Sequence, residues 1–145
     1  MPFEISWEKQ GFHIRFFGHI TEKELQAKNW GFSNNPRCNS CSYQIVDGSK
    51  IESIELSDLE ITYLASNDVG MDFYLRNIYV VLVGSHPELK RIYRQYVSTC
   101  LKTDMSWKYH ICDTVEQARS WLTESKLSKW QDQMAKLKEH RKANS

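Results

Sequence analysis

Two cysteines three positions apart are the first candidates for chemistry in this sequence. Cys38 and Cys41 form a C-x-x-C pair, a spacing typical of zinc sites and of thioredoxin-type redox centres. Zinc takes four ligands, but Cys100 and Cys112 fall in a predicted helix and a predicted strand, and no His-x₃₋₅-His pair occurs. A redox pair opens a helix after a strand, whereas this pair precedes a strand. We therefore expect reduced thiols, with no metal and no cofactor.

The side-chain types of a serine hydrolase occur at Ser85, His86 and Asp113. Adjacent residues do not readily form the Ser–His hydrogen bond that activates the nucleophile, and the G-x-S-x-G elbow is absent from the sequence. The phosphate-binding motifs G-x-x-x-x-G-K-[ST] and G-x-G-x-x-G are absent as well. The sequence therefore predicts no catalytic residues and a protein that is not an enzyme.

Asp68 has the most unusual position of the polar residues. It follows Leu64 by four positions and Ala65 by three, which places it on the apolar face of a predicted helix. In one interpretation its carboxylate accepts hydrogen bonds from a backbone N–H or a Tyr hydroxyl, or faces water at the helix edge. In the other it is a polar group in an apolar crevice that binds a ligand. We favour the first interpretation.

Five segments with strand-like patterns must position these residues. The opening pair is separated by a short turn containing Gly11, which predicts a hairpin. A later apolar, β-branched run shows no alternation, which predicts a central strand buried on both faces. The predicted strands are Phe3–Glu8, Phe12–Phe17, Tyr43–Asp47, Ile78–Val83 and Tyr109–Cys112.

Apolar residues at helical spacing predict helices over Ile61–Val69, Leu89–Leu101 and Val115–Leu122. Capping-box sequences, in which a Ser, Thr or Asp precedes a Glu by three positions, mark four helix starts. They are Thr21/Glu24, Ser57/Glu60, Ser85/Glu88 and Asp113/Glu116.

The resulting order is β-β-α-β-α-β-α-β-α. Alternating strands and helices after a hairpin predict an α/β fold with a five-stranded mixed sheet, mostly parallel, and helices packed on it. A helical tail follows at the C-terminus.

Ligands and partners of open α/β sheets bind at the carboxyl ends of the parallel strands. The N–H groups of helix N-termini at that edge favour an anion. We therefore predict a ligand or partner site at this edge, formed by Asp47, Ser49, Ser57, Asp68, Gly84, Ser85, His86 and Asp113.

The charge of the chain is unevenly distributed. Its 145 residues carry a net charge of +1, but residues 126–145 hold six basic and two acidic residues, a net charge of +4. The preceding 125 residues therefore carry −3. We predict a domain at residues 1–125 and a basic amphipathic helical tail at 126–145. The apolar stripe of the tail consists of Leu127, Trp130, Met134 and Leu137.

The tail stripe has three candidate positions. It packs on its own domain, docks on a second copy in a homodimer, or lies on a membrane. Self-docking or dimerisation is favoured because the domain is acidic, and nucleic-acid binding and membrane contact are not expected. The start of the chain has no signal-peptide pattern, and its longest apolar run, Ile78–Val83, is too short to span a bilayer. We expect a cytoplasmic protein.

An ordered set of segments resembles the SpoIIAA-like superfamily, which includes the STAS domains of anti-sigma-factor antagonists and short bacterial STAS-like or SEC14-like proteins. It covers roughly residues 3–123. The segments are the hairpin at Phe3-Glu4-Ile5, Pro36-Arg37 before Tyr43–Asp47, Ser49–Ser57 with Ile51 and Ile54, Val83–Glu88 and Val115–Leu122.

The resemblance implies a non-enzymatic regulatory or protein-interaction module. The antagonists carry an Asp-Ser-Ser-Gly motif whose first Ser is phosphorylated, and the matching positions here are Glu55, Leu56, Ser57 and Asp58. Leu56 has no hydroxyl to phosphorylate, and we interpret Ser57 as a helix cap. The expected partner is another protein or a second copy. The SEC14-like alternative implies a carrier of a small apolar or lipid-like ligand.

Overall fold

The computed structural model describes residues 2–143, without the side chains of residues 127 and 128. Two strands open the chain, and helices then alternate with strands to its end, as the sequence predicts. The elements are β1 (Phe3–Trp7), β2 (Gly11–Thr21), α1 (Glu22–Ser33), a 3₁₀ turn (Pro36–Ser40), β3 (Tyr43–Glu55), α2 (Asp58–Asp72), β4 (Tyr79–Val83), α3 (Pro87–Cys100), β5 (Lys108–Cys112) and α4 (Val115–Ala143).

The five strands form one sheet in the order β1-β2-β3-β4-β5. The β1–β2 hairpin is antiparallel and the other three pairs are parallel, which confirms the predicted mixed sheet. Hydrogen bonds between the backbones of Glu8 and Gly11 close the hairpin turn, and Gly11, predicted to lie in the turn, is the first residue of β2.

The central strand β4 is buried on both faces because helices cover both. Val80 and Leu82 belong to the larger core cluster, with residues of α1, α2 and α3. Val81 and Val83 point to the opposite face and pack with Ala118 and Trp121 of α4. A strand buried on both faces needs apolar side chains at every position, which explains the unbroken apolar run of β4.

Strands β2 and β3 are longer than predicted. The predicted strands ended at Phe17 and Asp47, but β2 runs to Thr21 and β3 to Glu55. Beyond the end of β4 they pair only with each other. The register shifts once between Arg15 and Phe17 and again between Gly18, whose φ is +71°, and His19. A bulge interrupts the alternation of side chains along a strand. These extensions therefore show no strand pattern in the sequence.

Two of the four predicted capping boxes form, at the starts of α1 and α2. The other two are wrong. His86 caps α3 in place of Ser85, because its Nδ1 accepts a hydrogen bond from the Glu88 N–H at 3.2 Å. At α4 the hydroxyl of Thr114 accepts from the Gln117 N–H at 3.2 Å, one residue beyond the predicted Asp113.

Candidate functional site

The carboxyl ends of β3, β4 and β5 lie side by side. Asp47 is paired with Val83 and Val83 with Cys112, which brings Asp47, Gly84 and Asp113 to one edge of the sheet. Asp47 Oδ1 accepts a hydrogen bond from the Ser49 N–H at 2.9 Å, and the Gly84 N–H donates to the Cys112 carbonyl at 3.0 Å. Ser49 itself lies within β3, not beyond its end.

Side chains of α3 fill the space over this edge. A Cβ atom added to Gly48 or Gly84 would lie 2.6 or 2.5 Å from Leu89 Cδ2, so the first turn of α3 approaches the strand ends as closely as glycine permits. The Tyr93 hydroxyl donates to the Val83 carbonyl at 3.0 Å, and burial raises the Tyr93 pKa. Helix α3 therefore packs closely against the strand ends at Gly48 and Gly84.

The hydrolase-like residues have other partners. His86 Nδ1 is used in capping α3, and Asp113 forms an ion pair with Lys90. Ser85 is exposed at the end of β4. The three residues do not form a nucleophile, base and acid arranged for hydrolysis.

The start of α2 lies in an acidic surface. Ser57 Oγ accepts from the Glu60 N–H at 3.1 Å, and Glu60 Oε1 accepts from the Ser57 N–H at 2.9 Å. The neighbouring Glu60 carboxyl group raises the Glu22 pKa. Ser57 borders a surface hollow that also includes Glu55 and Glu88. These carboxyl groups make the surface around Ser57 acidic.

A second site, which we call the central cavity, lies between the sheet and the first three helices and has a volume of about 60 Å³. Aliphatic side chains such as Val46, Val80 and Leu82 form its floor on the sheet. Leu56 and Ile61 line it at the start of α2, in the N′ and N4 positions of a hydrophobic staple. Leu56 thus faces the interior of the protein.

Asp68 lines the central cavity and lies apart from the other predicted edge residues, ten positions along α2. It is 2% exposed, and its Oδ2 accepts hydrogen bonds from the hydroxyls of Tyr96 and, at 2.9 Å, Tyr109. Its Oδ1 has no hydrogen-bond partner among the described residues. Burial raises the Asp68 pKa, and Lys28 and the two tyrosines oppose that rise.

Lys28 and Asn29 complete the polar lining of the cavity, and sequence reasoning missed both. Together with Leu25 and Phe32 they occupy positions i, i+3, i+4 and i+7 of α1, the spacing of a buried helix face. Two polar residues in that pattern were the signal in the sequence that could have indicated a buried polar site. Burial lowers the Lys28 pKa, and Asp68 partly offsets the effect.

A third surface presents aromatic side chains to solvent, and we call it the α1–α2 groove. Trp30 of α1 lines it at 70% exposure, and Tyr63 and Tyr74 line its other side at 53% and 64%. Leu59, at 79% exposure, precedes Tyr63 by one turn of α2. Four large apolar side chains on neighbouring helices are more than scattered surface residues.

Comparison with solved structures identifies the fold. The anti-sigma factor antagonist SpoIIAA in its unphosphorylated form is similar over 83% of this chain and 97% of its own, with a TM-score of 0.55 and 13% identity. The phosphorylated form of SpoIIAA, a Bacillus cell fate determinant, gives a TM-score of 0.52 over 83% and 98% of the two chains, with 11% identity.

The chain has a SpoIIAA-like fold. An uncharacterized Shewanella loihica protein with a SpoIIAA-like fold is 12% identical over 83% of this chain and 93% of its own, at a TM-score of 0.48. No protein-family model matches the sequence, and neither does any curated protein.

The C-terminal tail of this SpoIIAA-like chain is an extension of α4, which runs unbroken through the predicted boundary at residue 125. Trp130, Met134 and Leu137 are 58%, 37% and 51% exposed. Leu127, the fourth residue predicted for tail docking, lies outside the described side chains. The three described members of the stripe are thus not buried against their own domain.

Of the C-x-x-C pair, Cys38 lies in the 3₁₀ turn and Cys41 directly follows it, before β3. Both thiols are free, with Cys38 buried and Cys41 half-buried. Burial raises the Cys41 pKa to about 11, which disfavours the reactive thiolate. Within residues 2–143, no three His, Cys, Asp or Glu side chains are grouped as a metal site would need, and no described helix is long and apolar enough to cross a bilayer.

Proposed function

We propose that this protein is a non-enzymatic protein-interaction module that binds a partner protein at the α1–α2 groove. The observation that carries the proposal is the exposure of Trp30, Leu59, Tyr63 and Tyr74 on one surface. Trp and Tyr are the residue types that contribute most to binding energy at protein interfaces. SpoIIAA, which has the same fold, is described as an anti-sigma factor antagonist, and that description supports a regulatory role.

The charge beside the groove defines the partner further. Glu22, Asp58 and Glu60 lie in the first turns of α1 and α2, close to Leu59. A partner surface with basic residues around an apolar centre would complement this arrangement. Association would then weaken as salt concentration rises.

A phosphorylation switch at the position equivalent to that of the antagonists is not part of this proposal. Leu56 occupies that position in the sequence resemblance and faces the central cavity. Ser57 uses both its hydroxyl and its N–H in the capping box. We propose that partner binding is not controlled by phosphorylation at this position.

The interaction is tested by capturing partners from the host with the full chain, then measuring the affinity of each purified partner. Tyr63→Ala and Trp30→Ala should each weaken binding by about 1–3 kcal/mol. Leu101→Ala is the matched control, because Leu101 is also 60% exposed but lies at the end of α3. Equal affinity of all variants, or binding indifferent to salt, would contradict the proposal.

A second copy of the chain is the partner that we propose for the tail. The tail has a net charge of +4 and the preceding residues −3, so a tail and the domain of a twin copy attract one another. The exposed Trp130, Met134 and Leu137 would supply the apolar contact.

Ligand carriage is a second candidate function, and the central cavity is the observation that favours it. An apolar space that contains buried polar groups is typical of a small-molecule site. The cavity is much smaller than a lipid, so any carried molecule would have to be short or would have to displace Leu56 and its neighbours.

A further inference from the structure

The central cavity has a polar end whose hydrogen-bonding capacity is not used within the protein. Lys28, Asn29 and Asp68 form this end, and they are only 7%, 8% and 2% exposed. Lys28 supplies a buried amine that Asp68 attracts electrostatically. Asn29 Oδ1 and Asp68 Oδ1 lack hydrogen-bond partners among the described residues. Buried polar atoms are rarely left in this state, so each is a potential contact for a ligand.

The chemistry of the polar end selects a neutral head group. Two oxygens there can accept hydrogen bonds, and the Lys28 amine can donate one. A ligand carboxylate would meet Asp68, and a ligand ammonium would meet Lys28, so either charge is opposed. A hydroxyl group both donates and accepts, and it therefore complements an acceptor and a donor at once.

The rest of the cavity selects an aliphatic chain. Its interior wall consists of buried aliphatic side chains such as Val46, Leu64 and Val80. Ile54 and Leu56 are half-buried lining residues, and they mark the side on which the cavity approaches the surface.

The size of the cavity limits the ligand. Its volume is about 60 Å³. An engineered apolar cavity of roughly 150 Å³ binds benzene. The space in this protein therefore suits a molecule of about two or three non-hydrogen atoms, smaller than benzene.

We propose that the central cavity binds a small aliphatic alcohol, with its hydroxyl at Lys28, Asn29 and Asp68 and its chain toward Ile54 and Leu56. The proposal deepens the ligand carriage considered above and does not rest on partner binding at the α1–α2 groove, although Asn29 lines both spaces.

The test is a titration of the isotope-labelled full chain with ethanol, followed by backbone amide chemical shifts. The matched probe is chloroethane, which has a similar size and no hydroxyl. We expect saturable shifts at Lys28, Asn29 and Asp68 with a dissociation constant in the millimolar range, and about tenfold weaker binding of chloroethane.

Two variants separate the role of the head group from that of the space. Lys28→Met should weaken ethanol binding about tenfold and leave chloroethane binding unchanged. Lys23→Met, an exposed position on the same helix, is the control and should have no effect. Val80→Leu adds volume to the cavity wall and should abolish the binding of both probes.

Three results would overturn the proposal. The first is the absence of saturable shifts, which is expected of a cavity that holds only water. The others are equal affinity for the two probes and shifts confined to surface residues. If Lys28→Met does not fold, the comparison of the two probes on the native chain and on Val80→Leu decides the question.

Discussion

Single residues in this protein differ in how much of their charge is compensated. Asp68 and Lys28 have opposite charges, but both are buried, and burial moves the pKa of each toward its neutral form. The hydroxyls of Tyr96 and Tyr109 donate to Asp68, while Lys28 has no comparable contact. The two residues thus form a buried polar group of low net charge, with unused hydrogen-bonding capacity on the cavity side.

The negative charge of Glu8 is compensated by several hydrogen bonds. Its carboxylate accepts two hydrogen bonds from the Arg119 guanidinium, at 3.0 and 2.7 Å, and a third from the Tyr43 hydroxyl. These contacts join the β1–β2 hairpin to α4. The bonds from Arg119 are the main reason that the Glu8 pKa is lowered from 4.5 to about 2.

A pH-dependent contribution to stability follows from the lowered Glu8 pKa. The stabilisation is fully present above pH 4.5, the unfolded value, and is lost as the pH falls toward 2. Because Arg119 is 45% exposed, we expect Arg119→Gln to cost only about 1–2 kcal/mol at pH 7. Urea unfolding of both proteins at pH 7 and pH 2 measures this difference.

The difference between wild type and Arg119→Gln should shrink toward zero at pH 2. Arg94→Gln is the control, because Arg94 is exposed and has no ion pair with the described residues. A difference that is constant between the two pH values would show that Arg119 acts through packing alone.

At the scale of elements, the start of each helix depends on which residue occupies the N-cap position. Ser57 and Ser85 both precede a Glu by three positions, yet only Ser57 caps its helix. Pro87 begins α3, and His86 before it supplies the capping acceptor. The Ser85 side chain is one residue too early to reach the first turn.

Ser57→Ala should therefore destabilise the protein by about 1 kcal/mol, since the Glu60 N–H loses its acceptor. Ser57→Asp should be nearly neutral, because Asp is an equally good cap. Ser85→Ala should change stability by less than about 0.5 kcal/mol, as expected of an exposed serine without a cap. Thermal unfolding of the three variants tests this, and equal losses at Ser57 and Ser85 would contradict the assignment.

The contact of α3 with the strand ends depends on glycine. Gly48→Ala should cost about 1–3 kcal/mol, because the new methyl group would overlap Leu89 and the Tyr93 hydroxyl. Gly70→Ala is the matched control. Gly70 lies exposed in α2 with no atom within 4 Å of an added Cβ, so alanine should stabilise the helix by about 0.5–1 kcal/mol. Chemical denaturation measures both, and a neutral Gly48→Ala would show that α3 can move aside.

The whole molecule is a three-layer domain from which one helix projects. Helix α4 packs on the sheet as far as Trp121 and Leu122. From Lys129 to Ala143 every side chain is exposed. At 1.5 Å per residue this projecting part is about 20 Å long. An isolated helix of that length is marginally stable, so a docking partner would stabilise it.

Dimerisation through the tail predicts a change of mass in solution. The double variant Trp130→Ser/Leu137→Ser removes two exposed apolar side chains from the stripe. In analytical ultracentrifugation it should sediment as a monomer at concentrations at which the native chain is a dimer. Leu101→Ser, an exposed apolar residue outside the tail, should leave the native mass unchanged. A native chain that is monomeric at all concentrations would contradict the proposal.

The sequence alone determined the order of elements, the hairpin and the buried central strand. These features depend on local signals, such as the turn at Gly11 and the unbroken apolar run at Ile78–Val83. It determined two helix starts as well, at Thr21 and Ser57, because a capping box lies within four consecutive residues.

The tertiary structure decided which residues share a site. Leu89 packs against Gly48 and Gly84 at the strand ends, and the exposed aromatic residues of α1 and α2 meet only because the two helices pack side by side. Lys28 and Asp68 are forty residues apart, and their shared cavity follows from the packing of α1 and α2 on one face of the sheet. Such long-range proximity leaves no periodic signal in the chain, since periodicity records which face a residue occupies and not what faces it.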